Sequence, residues 1–473
     1  ARDDGSAAGS GGAPHFEIDL RSARASLLID RADEAHRFAQ RALHRAEGAW
    51  QRATALAACA ETEEFIGDFD AAIEHATEGL ELAQKLNDAP MELTHAALLG
   101  RVLATRGEFD RGRTMFERHV QRVQDAGNST AARAFLMHQA VVLDQARRRD
   151  EAVNAGLRAL ELAKQAQDES SACLCHIHLT SFYARLGAGA EAYEHAQQAV
   201  RLREKVGQAG GQTEVAELYL GVLCTSLGRF GQTLELLDTA QQRLVLGRAV
   251  SWAVMAKGVL ARAWLVLGQP ARGLKLLADE VPGVTDSVRG LRLVNLVRLL
   301  RALGKPRARE LAEAHALFAR QAQHEGDLLV QLEQAIDASP AEGAVLAAAV
   351  EARADERLHR SLQLDAQVIG CAALLASGAI ASAADKARAA LRLAAHSITW
   401  TVYRAEVWWR AHEALTAAGA EEEALAALIA AADWIDTTLP NVPEECRDSF
   451  LNRNPVNRAI LTTASRKLRA ARR

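Results

Sequence analysis

Proline is scarce in this chain, nine in 473 residues, and runs of β-branched residues are few. Alanine, leucine, glutamate and arginine dominate instead. That balance favours helix almost throughout, because these residues lose little freedom on entering one. No apolar run reaches the roughly 18 residues that a bilayer-spanning helix needs, and no secretory signal pattern opens the chain. The net charge of -4 supplies no global attraction for nucleic acid or a membrane surface. Six cysteines (Cys59, Cys173, Cys175, Cys224, Cys371 and Cys446) are scattered rather than set out as a disulfide framework. They read as reduced, buried side chains of a cytoplasmic protein.

Motifs for chemistry are also missing. No glycine-rich phosphate loop ends in Gly-Lys-Ser or Gly-Lys-Thr. The Gly304-Lys305-Pro306 stretch has proline where the hydroxyl residue belongs. There is no zincin motif and no nucleophile elbow. The expectation is a non-enzymatic chain without cofactor or metal. The first residue is Ala1, which fits a piece of something longer. An ATPase, kinase or DNA-binding domain would have to lie on another part.

What is present is a repeated phrase, and a chain of this length calls for several domains or one long array. Leu99-Gly100-Arg101-Val102-Leu103-Ala104-Thr105-Arg106-Gly107-Glu108-Phe109-Asp110-Arg111-Gly112 reads as a helix end, a tight turn at Gly107, and a helix start. Its turn returns at Gly67, Gly187, Gly228, Gly268, Gly378 and Gly419, with a glycine-free copy at Arg147. From Gly67 to Gly268 the spacing is about 40 residues, and such a fixed period marks a solenoid. Glycine there can take the left-handed conformation that stops a helix. Asp70, Asp110 and Asp150 are expected as N-caps of the second helices. Phe69, Phe109 and Phe230 are expected to pack back between the paired helices, with Ala72 and Gly112 permitting close approach. The chain divides into a Gly/Ala/Ser-rich linker (1–14), a repeat array (15–324), a degenerate stretch or bend (325–356), resumed repeats (357–438, with a helix over 400–418) and a helical cap with a basic tail (439–473).

These residues resemble tetratricopeptide repeats: Leu99, Gly100, Gly107, Phe109, Gly112 and Phe116 in one copy, Leu220, Gly221, Gly228 and Phe230 in another, Gly187, Ala192, Ala196 and Ala199 in a third. The ordinary unit is 34 residues and this one about 40, which is similar to the long repeats in the arm of bacterial STAND regulators. HEAT-type repeats share the period but not the glycine–aromatic–small turn. The resemblance implies an all-α, right-handed α-solenoid of roughly ten to eleven helix pairs. It implies a protein- or effector-binding scaffold, as the sensor arm of a multidomain bacterial regulator with an upstream ATPase or kinase domain. A stand-alone adaptor, co-chaperone-like and binding a peptide in its groove, is the alternative.

Three constellations are candidates for function. Cys173, Cys175, His176 and His178 have ligand-like chemistry, but the two pairs point to different sides of one helix, so buried packing is expected over zinc. Trp400, Trp408, Trp409 and Trp434 gather late and are expected to seal the end of the solenoid, with a partner surface as the alternative. The third is the inner surface. The resemblance implies that the first helix of each pair lines a concave groove, exposing Arg101, Asp144, Arg185, Arg262, Arg298 and Arg301 there. Arginine forks hold carboxylates or phosphates, so an acidic peptide or small anionic effector fits. The competing expectation is that these arginines are solvated or pair with groove carboxylates. The basic tail residues Arg466, Lys467, Arg469, Arg472 and Arg473 read as a soluble helix end rather than a nucleic-acid contact.

Overall fold

The computed structural model describes residues 12–28, 31–146, 148–206, 215–246, 250–320, 324–356 and 359–471. Most of the expected linker, the turn at Arg147, and Arg472 and Arg473 lie outside them. Among the described residues there is no strand. The chain packs as two compact units. Each is built of tetratricopeptide-like helix pairs, and the fold class is the right-handed α-solenoid.

Unit 1 comprises residues 12–179 and 201–206. Its pairs are α1 (Gly12–Leu28) with α2 (Ala32–Arg45), α3 (Gly48–Ile66) with α4 (Phe69–Leu86), α5 (Ala89–Thr105) with α6 (Phe109–His119), and α8 (Thr130–Gln145) with α9 (Arg149–Gln165). A short α7 (Arg122–Asp125) follows α6. The division passes through α10 (Glu169–Leu186) and α11 (Gly189–Val206).

Unit 2 takes residues 180–200, 215–246 and 250–471. Its further pairs are α12 (Ala216–Ser226) with α13 (Phe230–Leu246), α14 (Val250–Val266) with α15 (Pro270–Leu277), α16 (Asp286–Ala302) with α17 (Ala308–Arg320), α18 (His324–Asp337) with α19 (Pro340–Glu356), α20 (Arg360–Ala376) with α21 (Ile380–Ala394), and α22 (Arg404–Ala417) with α23 (Glu421–Thr438). Two 3₁₀ turns, a π turn (Ser449–Arg453) and α24 (Pro455–Ala471) close it. Residues 325–356, where the sequence period slips, form the α18–α19 pair.

Local chemistry explains the punctuation. Gly67 ends α3 at φ 89°, its N–H returning to the carbonyls of Glu63 and Glu64. The cap of α4 is Asp68, whose carboxylate accepts from the Ala71 N–H at 3.2 Å. Asp70, Asp110 and Asp150 are therefore not N-caps, contrary to the sequence expectation. They lie inside the first turns of α4, α6 and α9, where a carboxylate still complements the helix dipole. The second helix of the Gly107 repeat is interrupted after His119, between α6 and α7. The His119 ring donates Nδ1–H to the Met115 carbonyl at 2.8 Å, which competes with the helix ladder at that turn. A cleft of 320 Å³ lies beside the break, floored by Leu136 and Leu162.

Close approach is built from small residues. A Cβ on Gly112 would stand 2.5 Å from the Gly100 carbonyl oxygen. A Cβ on Gly100 would strike the buried ring of Phe116. The Trp-rich end is core: Trp408, Trp409 and Trp434 pack against Phe230, Ile435, Phe450 and Ile460.

Unit 2 also folds back on itself. Ser449 donates its hydroxyl to the Leu267 carbonyl at 2.7 Å, and the Asn454 amide donates to the Val266 carbonyl at 2.7 Å. The Ile398 N–H donates to the Gly187 carbonyl at 3.2 Å. Three successive repeat turns are thus met by C-terminal elements: Gly187 by Ser397, Gly228 by Thr438 and Trp434, and Gly268 by Ser449 and Asn454. Gly67, Gly107, Gly378 and Gly419 have positive φ too, but open space around them.

Candidate functional site

In both units the first helices of successive pairs meet through polar side chains. In unit 1 these form a strip. The Arg101 guanidinium on α5 pairs with Glu64 on α3 at 2.6 Å, and the Thr105 hydroxyl donates to the same carboxylate at 3.3 Å. Next comes His138 on α8, within the electrostatic reach of Arg101 and of His178 on α10. Burial holds the His138 imidazole well below its ordinary range, and Arg101 and His178 push it the same way. Burial raises the Glu64 carboxyl, and Arg101 opposes it. The strip is partly exposed: the Arg101 side chain retains 23% of its surface, and Phe65, 52% exposed, lies beside the exposed Glu61.

Asp144, at the end of α8, is buried instead and pairs with Arg149 of α9 at 3.1 Å. It fastens one hairpin and stands apart from the Arg101 strip.

The remaining candidates lie in unit 2, where each guanidinium is engaged by its own unit. Arg298 and Arg301 of α16 grip Glu333 of α18, 2% exposed, at 2.5 and 2.6 Å, and Arg301 also reaches Asp337 at 2.8 Å. Arg185 bonds the Ser181 hydroxyl at 2.8 Å and Glu325 at 3.4 Å. Glu325 accepts from His359 Nε2 at 3.0 Å. The tautomer follows from the other nitrogen, since His359 Nδ1 accepts the Leu362 N–H at 3.2 Å and caps α20. Arg262 donates to the Trp400 carbonyl at 2.7 Å and to the Ser226 hydroxyl at 3.2 Å. Burial pushes its guanidinium down to about 10.

Residues 395–403 lie on this second face. They form a non-helical connection between α21 and α22, so the helix expected over 400–418 begins only at Arg404. Asp365, fully buried on α20, explains why: it accepts from the N–H groups of Trp400 and Thr401 and from the Thr401 hydroxyl. Burial pushes its carboxyl up to about 6, against those bonds and Arg262. The Trp400 ring packs edge-on to His359 at 5.1 Å and joins the α10–α13 and α18–α20 cores. Sequence reasoning missed His138, Phe65, His359 and Glu325. It also missed this connection, whose only signal was a tryptophan where the repeat pattern has none.

Cys173 and Cys175 are buried, and burial pushes the Cys175 thiol up to about 12. Among the described residues no group of three or more His, Cys, Asp or Glu is arranged to hold a metal. Among them, too, no helix is long and apolar enough to cross a membrane.

No protein-family model matches the chain, and no curated protein matches it. Several solved structures resemble it in fold. One is a signal-transduction ATPase with numerous domains (STAND) with a tetratricopeptide repeat sensor, from Pyrococcus horikoshii. It is 15% identical over 68% of this chain and 50% of that one, with a TM-score of 0.49. This chain thus spans half the length of that protein. A Rap protein complexed with competence and sporulation factor is 11% identical over 80% of this chain and 97% of that one, TM-score 0.48. An APC/C hetero-tetramer chain is 11% identical over 95% and 96%, TM-score 0.44. At such identities the likeness concerns fold alone.

Proposed function

We propose that this chain is a non-catalytic, protein-binding repeat scaffold whose working surface is the first-helix strip of unit 1. The observation that supports this is the contrast between the two strips. Arg101 pairs with a partly exposed carboxylate, Glu64, which is next in sequence to the exposed Phe65, whereas Arg298 and Arg301 grip the buried Glu333 and Arg262 holds a main-chain carbonyl. An acidic segment of a partner protein would compete with Glu64 for the Arg101 fork and cover Phe65, as charge-assisted bidentate pairing favours. In the cell we read this as the sensor arm of a cytoplasmic, multidomain bacterial regulator, a reading that rests on the long repeat.

The test is selection from a displayed random-peptide library on the immobilised chain. Selected peptides are expected to be acidic, and to lose at least ten-fold in affinity when Arg101→Glu and Phe65→Ala are combined. Peptides that bind the double variant unchanged would overturn the assignment to this strip.

A further inference from the structure

The connection over residues 395–403 is held as a bound peptide is held rather than as a loop is. Arg404, close by in sequence, donates to the Ser397 and Ala394 carbonyls, but the other anchors are remote: Gly187 for the Ile398 N–H, Arg262 for the Trp400 carbonyl, Asp365 for the Trp400 and Thr401 N–H groups. Ordinary turns satisfy themselves locally, as Gly67 does with Glu63 and Glu64. Here the main chain is read by side chains projecting from first helices, which is how a groove recognises an extended segment. Side-chain pockets add selectivity. Ile398 fits against Leu227 and the α10–α13 core, Thr399 is 1% exposed, Trp400 bridges two cores, and the Thr401 hydroxyl is counted by Asp365.

We propose that the first-helix face of unit 2 is a second peptide-reading site, that residues 396–403 are its resident ligand in cis, and that a partner segment of the same chemistry exchanges with them. That chemistry is an aliphatic residue followed by hydroxyl, tryptophan and hydroxyl in a non-helical backbone. The tether places the resident copy at an effective concentration in the millimolar range, so a free competitor succeeds only when the resident is withdrawn or when the competitor is anchored elsewhere. This site is independent of Arg101 and Phe65, and its failure would leave the reading of unit 1 standing.

The experiment uses the full chain with residues 396–401 replaced by a Gly-Ser linker of equal length. The probe is a fluorescein-labelled octapeptide with the sequence of residues 396–403, followed by fluorescence anisotropy. The emptied variant is expected to bind the probe saturably, at least ten-fold more tightly than the intact chain does, and to lose at least ten-fold when Asp365→Asn is added. A scrambled probe should not bind. An emptied variant that unfolds cooperatively, as judged by circular dichroism, yet ignores the probe would overturn the proposal.

If removing the segment prevents folding, the intact chain carrying Trp400→Ala gives the second measurement, by amide hydrogen exchange. The amides of residues 400 and 401 are then expected to exchange through an opening smaller than global unfolding, with protection restored by the octapeptide. Exchange of those amides only through global unfolding would make the segment a piece of core and refute the proposal.

Discussion

Arg101 and Arg262 stand on first helices of the same kind of repeat, and they meet different partners. Arg101 reaches Glu64, one repeat back in the same strip, and keeps part of its surface. Arg262 reaches a backbone carbonyl 138 residues further along, and burial pushes its guanidinium down. A side chain of given type and register therefore pairs with its neighbouring repeat in one unit and holds a returning main chain in the other. The difference lies in what returns to the strip. Unit 2 brings residues 395–403 back onto it, α23 onto the turn at Gly228, and its closing segment onto the turn at Gly268.

The sharpest way to break this comparison is Asp365→Ala. It strips acceptors from two half-buried N–H groups and removes a counter-charge near Arg262 and Arg404. Breaking a buried charged network by removing one partner costs about 3–5 kcal/mol. Chemical denaturation should show that loss in unit 2, whereas Arg101→Gln in unit 1 should cost below about 1 kcal/mol, as partly exposed pairs do. Equal losses for both would remove the distinction.

A glycine pair gives the next effect in size. Gly268→Ala combines positive φ with a Cβ placed 2.3 Å from the Ser449 carbonyl oxygen, so about 2–4 kcal/mol is expected from backbone strain and overlap together. Gly107→Ala, at φ +96° with open space around it, should cost about 1–2 kcal/mol from the backbone alone. Thermal melts of the two variants decide it, and a larger shift for Gly107→Ala would contradict the fold-back at Gly268.

The smallest effect sharpens unit 1. Glu63 is 2% exposed and accepts from His75 Nδ1 at 2.7 Å, with His36 at 4.0 Å. The hydrogen bond to Glu63 raises the His75 pKa, against partial burial. A histidine raised in the folded state contributes stability that is fully present below its unfolded value of about 6.5. That contribution is lost as pH rises through the folded value. After solvent screening it is expected to be below about 1 kcal/mol. Melting temperature followed from pH 6 to 8 should fall for the native chain, and this slope should flatten in His75→Gln. An unchanged slope would mean that His75 does not carry it.

Much of the fold was legible because its signals are local. Gly67 and Gly107 stop helices within a few residues of the bonds they make, and Gly100, Gly112 and Phe116 lie close enough in sequence to announce their own crossing. The N-cap of α4 was misplaced by two residues because Asp70 in the first turn and the true cap Asp68 offer the same chemistry, while the cap positions of α6 and α9, Glu108 and Arg148, make no side-chain cap. The candidate site was legible only as a list of arginines. Nothing near Arg262 in sequence foretells Trp400, and nothing near Arg298 foretells Glu333.

The sequence alone was enough to show that the chain is helical, that its helices come in pairs, and which residues stop and cross them. Each of these rests on contacts within one repeat or its neighbour, so each is written in a short window. Tertiary structure alone decided which first-helix strip is covered by its own chain and which arginines are already engaged. Closure of unit 2 sums small rotations over many stacked repeats, and no single repeat contains that sum.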